Sequence, residues 1–227
     1  MMLDMTYFIY VLPGMILAMI ASWMVKSTFN KYSQVGAASG LTGAEAAHQM
    51  LESQGIHDVR IEQVQGFLSD HYDPTANVLR LSPQVYGSHS LSAIGVACHE
   101  AGHALQKAHA YAFLGLRSKL VPVCTLSSNL AMPILMAGFF MQFGPLINVG
   151  IALFSAAVLF SIVTLPVEWD ASARAKKLMV SSGIVSPLEQ ASASRVLNAA
   201  FLTYLASAIT AILTLVYYLT IANRRNH

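Results

Sequence analysis

Charged side chains are scarce in this 227-residue chain. Asp, Glu, Lys and Arg together make up 11% of it, whereas a soluble domain typically carries about 25%. Hydrophobic residues make up 55%, and the mean hydropathy is +0.54. So few charges cannot cover the molecule with a water-facing surface, and the composition therefore indicates a protein that faces mainly lipid. The formal net charge of +2 is too small to indicate a nucleic-acid partner.

Cysteine is also rare. Cys98 and Cys124 are the only two, and both lie in apolar sequence. Disulfide frameworks use several cysteines in short secreted chains, so this count argues against a disulfide-stabilised scaffold. We expect both residues to be buried small hydrophobic side chains.

Long hydrophobic runs are abundant, and four of them reach the roughly 20 residues that a helix needs to cross a bilayer. They cover about residues 7–25, 120–141, 146–165 and 199–222. No Lys or Arg precedes the first run, which indicates an uncleaved anchor rather than a signal peptide. Residues 142–145 leave room only for a short turn, so the second and third runs should form a helical hairpin.

Polar sequence is confined to two blocks, which alternation of the spans places on one side of the membrane. The blocks hold 11 of the 13 Lys and Arg residues, and only Arg224 and Arg225 lie beyond the last span. The positive-inside rule therefore predicts cytoplasmic blocks and external termini, although those two arginines oppose it. The predicted regions are an anchor (1–25), a cytoplasmic region (26–119), a transmembrane hairpin (120–165), a cytoplasmic helical segment (166–198) and a C-terminal span with its tail (199–227).

Local patterns predict short elements inside the polar blocks. Thr42 followed by Glu45 matches a capping box and predicts a helix from Thr42 to Ser53. The other predicted elements are strands at Val59–Val64 and Asn77–Ser82, a turn at 70–74, a helix from Ser88 or Ser90 to about His109, and a helix that follows a capping box at 186–189 and continues into the fourth span.

The segment His99-Glu100-Ala101-Gly102-His103 has the spacing H-E-x-x-H. On a helix, positions i and i+4 lie on one face about one turn apart, so both imidazoles can reach one metal ion. Glu100 would then lie near a metal-bound water and could act as its general base. Alternatively, the pattern arises by chance and both histidines are core or interface residues. The apolar run 91–98 favours a metal site, because buried imidazoles need partners.

A catalytic zinc site needs a third protein ligand and an open fourth position. Asp4 lies on the other side of the predicted membrane, and Glu100 is the candidate base. The other acidic residues fall in solvated elements, turns or caps, which leaves Glu168 and Asp170. The predicted hairpin returns the chain to the interface at which the motif helix ends, so Glu168 should lie beside His103. Asp170 or Ser172 could then orient a ligating histidine. The alternative is that both acidic residues merely mark the end of a span.

Several segments together resemble a known family. In chain order they are Asp70-His71-Tyr72-Asp73-Pro74, Leu79-Arg80-Leu81-Ser82, the helical segment from Ala97 to Gln106, and Pro166-Val167-Glu168-Trp169-Asp170-Ala171-Ser172. They are similar to the YugP-type bacterial neutral zinc metallopeptidases, and the similarity extends over nearly the whole chain. This resemblance implies a multi-pass protein of the bacterial plasma membrane that hydrolyses peptide bonds with one zinc ion, its active site facing the cytoplasm.

The layout also resembles the HtpX membrane protease and the eukaryotic CAAX-processing metalloprotease. Those families place two spans between the histidine helix and a glutamate ligand, which implies the gluzincin-like set His99, His103 and Glu168. They also carry an acidic residue four positions after that glutamate, where this chain has Ser172. The expected fold is mainly α, with four transmembrane helices and a zincin-like cytoplasmic α+β protease region that contains a small β-sheet.

The predicted function is a membrane-embedded zinc endopeptidase that cleaves peptides or proteins at the cytoplasmic membrane interface. Oxyanion stabilisation needs a hydrogen-bond donor. The candidates are His71, Tyr72, Tyr86 and Arg174. The strand at Asn77–Ser82 could bind an extended substrate by strand addition.

Two alternatives to this function remain open at the level of sequence. One is an intramembrane protease that cuts transmembrane substrates, and the other is a non-enzymatic metal-binding membrane scaffold. Besides the substrate and the bilayer, a homo-oligomer or a membrane-protein partner is possible. The histidines without ligand spacing are expected to have surface or structural roles; they are His48, His57, His89, His109 and His227.

Overall fold

The computed structural model of the protein describes residues 5–66 and 69–225. Helix dominates this part of the chain and is accompanied by one small three-stranded sheet, which confirms the predicted mainly helical class. In chain order the elements are α1 (Met5–Tyr32), α2 (Gly43–Glu52), β1 (Arg60–Gln63), β2 (His71–Asp73), β3 (Val78–Leu81), α3 (Pro83–Tyr86), α4 (Leu91–Ala108), α5 (Ala112–Phe140), α6 (Gly144–Ser181) and α7 (Gln190–Arg225).

The chain divides into two compact units. The first, here called the apolar unit, comprises Met1–Ser22, Gly115–Pro166 and Thr203–His227. The second, here called the sheet unit, comprises Trp23–Leu114 and Val167–Leu202. Each of the four long helices, α1, α5, α6 and α7, contributes residues to both units.

Four helices are long and apolar enough to cross a membrane, and they are α1, α5, α6 and α7. No more than 28% of the most apolar stretch of any of them is buried. Large side chains such as Phe8, Leu126 and Leu159 are accordingly exposed. Exposed apolar surface on this scale is stable in lipid and not in water, so the structure has the four candidate membrane-spanning helices that the sequence predicts.

Within the apolar unit, α5 and α6 form the predicted hairpin. Only residues 141–143 separate the two helices, and Gln142 adopts a left-handed φ of 55°. Gly150 permits their close packing, because a Cβ at this position would lie 2.6 Å from the Leu135 side chain. Helices α1 and α7 are joined by a hydrogen bond in which Thr210 Oγ1 donates to the Gly14 carbonyl at 2.9 Å.

In the sheet unit, α2 begins with the predicted capping box. The Thr42 side chain accepts from the Glu45 backbone N–H, and the Glu45 carboxylate accepts from the Thr42 backbone N–H at 2.8 Å. The buried face of α2, which includes Ala46 and Met50, packs against α4 within one hydrophobic core. The cap and this apolar face together explain why the segment forms a helix.

The sheet contains both predicted strands and a third that was not expected. Strands β1 and β3 lie within Val59–Val64 and Asn77–Ser82, so these two predictions are confirmed. The prediction of a turn throughout 70–74 is wrong, because β2 begins at His71 and pairs with β3 in antiparallel register. The turn starts only after Asp73, whose Oδ1 accepts from the N–H groups of Thr75 and Ala76.

Strand order decides which edges of the sheet remain available. The order is β1-β3-β2, with β1 parallel to β3 and β2 antiparallel to it. Because β3 is central, both of its hydrogen-bonding edges are already paired. The expectation that the strand at Asn77–Ser82 binds a substrate by strand addition is therefore wrong, and only the outer edges of β1 and β2 could do so.

Helix α4 lies at the centre of the sheet unit. Ser90 caps it by accepting from the Ala93 N–H at 3.2 Å, so the second of the two predicted starting points is confirmed. Fourteen of its 18 residues are buried, which means that it is surrounded on most sides. Cys98 on this helix is a buried free thiol, as is Cys124 on α5, and both agree with prediction.

The capping box before α7 also contacts the segment that follows α1 in the sheet unit. Ser186 N–H donates to the Glu189 carboxylate at 2.8 Å, and Glu189 N–H donates back to the Ser186 hydroxyl at 3.3 Å. Glu189 also accepts from the Ala38 N–H at 2.7 Å. The helix that follows runs without a break to Arg225, which confirms that it continues into the fourth span.

Candidate metal centre

The two histidines of the H-E-x-x-H motif lie side by side on the buried face of α4. Their ring centroids are 4.9 Å apart, and the ring planes are inclined at 80°. His99 is 9% exposed and His103 is 7% exposed. Helical spacing therefore brings both imidazoles to one nearly dry site, as the sequence predicts.

Glu168 from α6 completes the cluster and is only 1% exposed. Its Oε2 lies 3.1 Å from His99 Nε2 and 3.6 Å from His103 Nε2. One potential ligand atom from each of the three residues lies within 4.8 Å of the other two. Among residues 5–66 and 69–225, this is the one such group found that could hold a metal ion.

These distances fit a tetrahedral zinc ion. Zinc–ligand bonds of about 2.0–2.1 Å at the tetrahedral angle separate the ligand atoms by about 3.3 Å, and the two measured separations lie on either side of this value. Two imidazole nitrogens and one carboxylate oxygen form a donor set of catalytic zinc sites, which leave one position for water or substrate. Magnesium and calcium prefer oxygen ligands, so the donors favour zinc.

The electrostatics of the site also favour a cation. Burial by itself would lower the pKa of His103, but its hydrogen bond with Glu168 and the nearby charge of Glu100 raise the pKa above its ordinary value. The two carboxylates therefore stabilise positive charge at this ring. A bound metal ion would supply that charge while leaving the imidazole neutral.

A glycine inside the motif allows α6 to reach α4. A Cβ on Gly102 would lie 2.6 Å from the Ala171 carbonyl oxygen and 3.2 Å from the Ala171 Cα. The two helices thus touch through their backbones just beyond Glu168. Sequence reasoning treated Gly102 as a variable position of the motif, because nothing local to α4 reveals the helix opposite.

The outer nitrogen of each histidine ring has a polar partner. The Ser172 hydroxyl lies 3.1 Å from His99 Nδ1, and Gln106 Oε1 lies 2.9 Å from His103 Nδ1. Ser172 was a predicted candidate for orienting a ligand, whereas Gln106 was missed. The available signal for Gln106 was a third polar residue, three positions after His103, on the helix face that carries both histidines.

Asp170, the other predicted candidate for orienting a ligand, is connected to His103 through Gln106. Its Oδ2 accepts from Gln106 Nε2 at 2.9 Å and from Arg174 Nε at 2.6 Å. Arg174 Nη1 lies 2.9 Å from His109 Nδ1. Asp170 and Arg174 therefore extend a chain of hydrogen bonds that begins at His103 and passes through Gln106.

Glu100, the predicted general base, is half-buried and is held by the edge of the sheet. Its Oε2 accepts from the backbone N–H of Tyr72 at 3.0 Å. Since Tyr72 lies in β2, this hydrogen bond connects the outer edge of β2 with the H-E-x-x-H helix. Sequence reasoning assigned Tyr72 to a turn and did not find this contact.

The predicted oxyanion donors have other partners. His71 Nδ1 donates to the Ser69 carbonyl at 2.8 Å, the Tyr72 hydroxyl donates to Asn77 Oδ1, and Arg174 donates to Asp170. The ring of Tyr86 packs against the buried core. The geometry thus singles out none of the four as the donor.

Among the described residues, the histidines without ligand spacing do not belong to the metal-ligand group. His48 pairs with Glu52 at 3.5 Å, and His89 Nδ1 donates to the Gly40 carbonyl at 2.7 Å. His57 is exposed. His227 lies outside the described residues.

Comparisons with known proteins agree with the resemblance drawn from the sequence. Residues 7–223 match the sequence profile of the family described as "Putative neutral zinc metallopeptidase". The chain is also 48% identical over 201 residues to "Putative membrane protease YugP" of Bacillus subtilis (strain 168), covering 88% of this chain and 89% of that relative. No solved structure shows a significant match. The chain therefore belongs to the family described as "Putative neutral zinc metallopeptidase".

Proposed function

We propose that this protein is a zinc-dependent membrane endopeptidase with one zinc ion per chain, held by His99, His103 and Glu168. The observation that carries the proposal is the position of Glu168 Oε2, 3.1 Å and 3.6 Å from the two Nε2 atoms. A buried carboxylate between two buried imidazoles is costly unless a shared partner compensates it. The family assignment supports zinc as that partner.

Glu100 is the proposed general base. Zinc, when bound, would acidify a water molecule and polarise the scissile carbonyl. Glu100 takes a proton from the attacking water and later delivers it to the leaving amine nitrogen as the C–N bond breaks. The N–H of Tyr72, 3.0 Å from Glu100 Oε2, holds the carboxylate in place before substrate binds.

The outer edge of β2 is the proposed binding surface for an extended peptide. In an antiparallel ladder, residues alternate between hydrogen-bonded and non-hydrogen-bonded pairs. The N–H of Tyr72 reaches Glu100, so it points away from β3 and the Tyr72↔Leu79 pair is a non-hydrogen-bonded one. The backbone of Tyr72 therefore faces the outer edge, where a peptide strand could add beside the proposed base.

The proposed location of the reaction is the cytoplasmic surface of a bacterial plasma membrane. The basic residues lie mostly in the two polar blocks, which favours a cytoplasmic orientation for them. The sheet unit carries water-exposed charges such as Arg60 and Glu62, which supports a substrate site open to water rather than enclosed in lipid. Intramembrane cleavage of transmembrane substrates is the alternative.

Zinc content and peptide cleavage test the proposal together. We expect near-stoichiometric zinc in the detergent-solubilised protein by mass spectrometry, loss of zinc in Glu168→Ala, and retained zinc without hydrolysis in Glu100→Gln. Glu62→Ala is the matched control, because Glu62 is a carboxylate paired with Arg60 on the surface. Zinc retained by Glu168→Ala would refute the ligand set. Zinc-loaded protein that cleaves no soluble peptide would favour the intramembrane or scaffold alternatives.

A further inference from the structure

Gln106 is fully buried, and its side-chain amide makes three hydrogen bonds. Oε1 lies 2.9 Å from His103 Nδ1, while Nε2 donates to the Val167 carbonyl at 2.8 Å and to Asp170 Oδ2 at 2.9 Å. A buried amide is destabilising unless its polar atoms are paired. Here the pairing joins α4 to α6 at the proposed metal centre.

The two acceptors opposite Nε2 determine which end of the amide faces His103. The Val167 carbonyl and the Asp170 carboxylate, when ionised, can only accept, so the NH2 group must face them. Turning the amide by 180° would place Oε1 against two oxygens. Oε1 therefore faces His103 and accepts its ring hydrogen. The neutral ring must then carry that hydrogen on Nδ1 and present the Nε2 lone pair toward Glu168.

Two further contacts hold the Gln106 amide in this orientation. Asp170 also accepts from Arg174 Nε at 2.6 Å, which holds the carboxylate toward Gln106. Val167 directly precedes Glu168 in α6, so the hydrogen bond to the Val167 carbonyl ties the amide to the backbone beside the third proposed ligand. Gln106 thus contacts the His103 ring directly and is linked to Glu168 through the peptide group that joins Val167 to Glu168.

We propose that Gln106 is the positioning residue that presents His103 to the metal ion. Its amide selects the tautomer of His103 that leaves Nε2 available and fixes the ring relative to the backbone beside Glu168. The neutral amide also separates His103 from Asp170, so the ring gains an acceptor without direct contact with a second carboxylate. This inference rests on the proposed zinc site and extends it to a residue outside the H-E-x-x-H motif.

Gln106→Met tests the inference, with Gln49→Met as the matched control. Gln49 also donates its amide across the sheet unit, to the Ser182 carbonyl at 2.7 Å, but none of its described hydrogen bonds involves a proposed ligand. We expect Gln106→Met to weaken zinc binding about 10–100-fold, the usual effect of removing a partner of a ligating histidine. Gln49→Met should bind zinc as the wild type does. Chelator competition measures both affinities.

The tautomer of His103 is a second readout that does not depend on activity. Selective 15N-histidine spectra of the zinc-loaded wild type should show hydrogen on His103 Nδ1 and zinc on Nε2. Zinc on Nδ1 instead would overturn the inference, as would equal zinc affinities of the two methionine variants. A wild type that binds no zinc would refute the proposed function rather than this assignment.

The tautomer measurement keeps the inference testable if Gln106→Met does not fold, because it is made on the wild type and needs no variant.

Discussion

Replacing Gly102 by alanine should push α6 away from α4 at the proposed metal centre. The added Cβ would lie 2.6 Å from the Ala171 carbonyl oxygen, whereas ordinary contacts of this kind are 3.4–4 Å. The three nearest atoms all belong to the backbone of Ala171, so rotating a side chain cannot relieve these contacts. The two helices must therefore separate by about 0.8 Å at this point, since packed interiors have little free space.

Gly95 provides a control on the same helix. A Cβ there would lie 3.6 Å from the Ala193 carbonyl oxygen and 3.9 Å from the Val196 Cβ, which are ordinary contacts. Gly95→Ala should therefore gain about 1 kcal/mol from the higher helix propensity of alanine. Gly102→Ala has the same gain, but overpacking costs it about 1–3 kcal/mol. The free energy of unfolding should thus be about 1–3 kcal/mol lower for Gly102→Ala than for Gly95→Ala.

Zinc binding should distinguish the two variants further. Functional constellations tolerate displacements of about 0.5 Å, and the separation at Gly102 exceeds this limit beside Glu168. We expect Gly102→Ala to lose at least about tenfold in zinc affinity, and Gly95→Ala to retain wild-type affinity. Denaturant unfolding and chelator competition in detergent measure the two effects. Equal stability and equal zinc affinity in both variants would refute the close-contact argument.

Three further variants test separate parts of the structure. Ser172→Ala removes the hydroxyl partner of His99 Nδ1 and should weaken zinc binding about tenfold by chelator competition. Thr42→Ala removes a helix cap and should lower the free energy of unfolding by about 1 kcal/mol, with zinc content unchanged. The Ala76 N–H and neighbouring donors lower the pKa of Asp73 to about 2, below its unfolded value of about 3.9. Ionised Asp73 therefore stabilises the folded state above about pH 4, and this stabilisation is lost toward pH 2. The free energy of unfolding of Asp73→Asn should be lower than that of the wild type near neutral pH, and the difference should shrink as the pH falls.

Elements with a local physical cause were predictable from the sequence. The four spans follow from hydrophobic length, and the start of α2 follows from a reciprocal hydrogen-bond pattern three residues apart. The order of the strands was not predictable, because nothing in Val78–Leu81 reveals that it lies between two other strands. Strand β2 was missed because it is three residues long and adjoins Pro74, so turn-forming residues dominated the pattern.

In the proposed metal centre, too, some residues could be identified from local sequence and others only from the packed helices. His99, Glu100 and His103 could be identified from their spacing, because helical geometry alone places the two histidines on one face. Glu168 was selected by elimination, by hairpin topology and by the family resemblance, and its distance from the rings became known only from the packed helices. The roles of Gly102 and Gln106 depend entirely on α6, which the sequence of α4 does not describe.

The sequence by itself determined that the chain carries four helices long and apolar enough to span a membrane, and a helix with two histidines one turn apart, because hydrophobic length and helical periodicity are local properties. Only the tertiary structure decided which carboxylate meets those histidines, which edge of the sheet adjoins Glu100, and which amide orients His103. These depend on contacts between residues more than 25 positions apart or on neighbours that a second helix provides, and such contacts arise only when the chain packs.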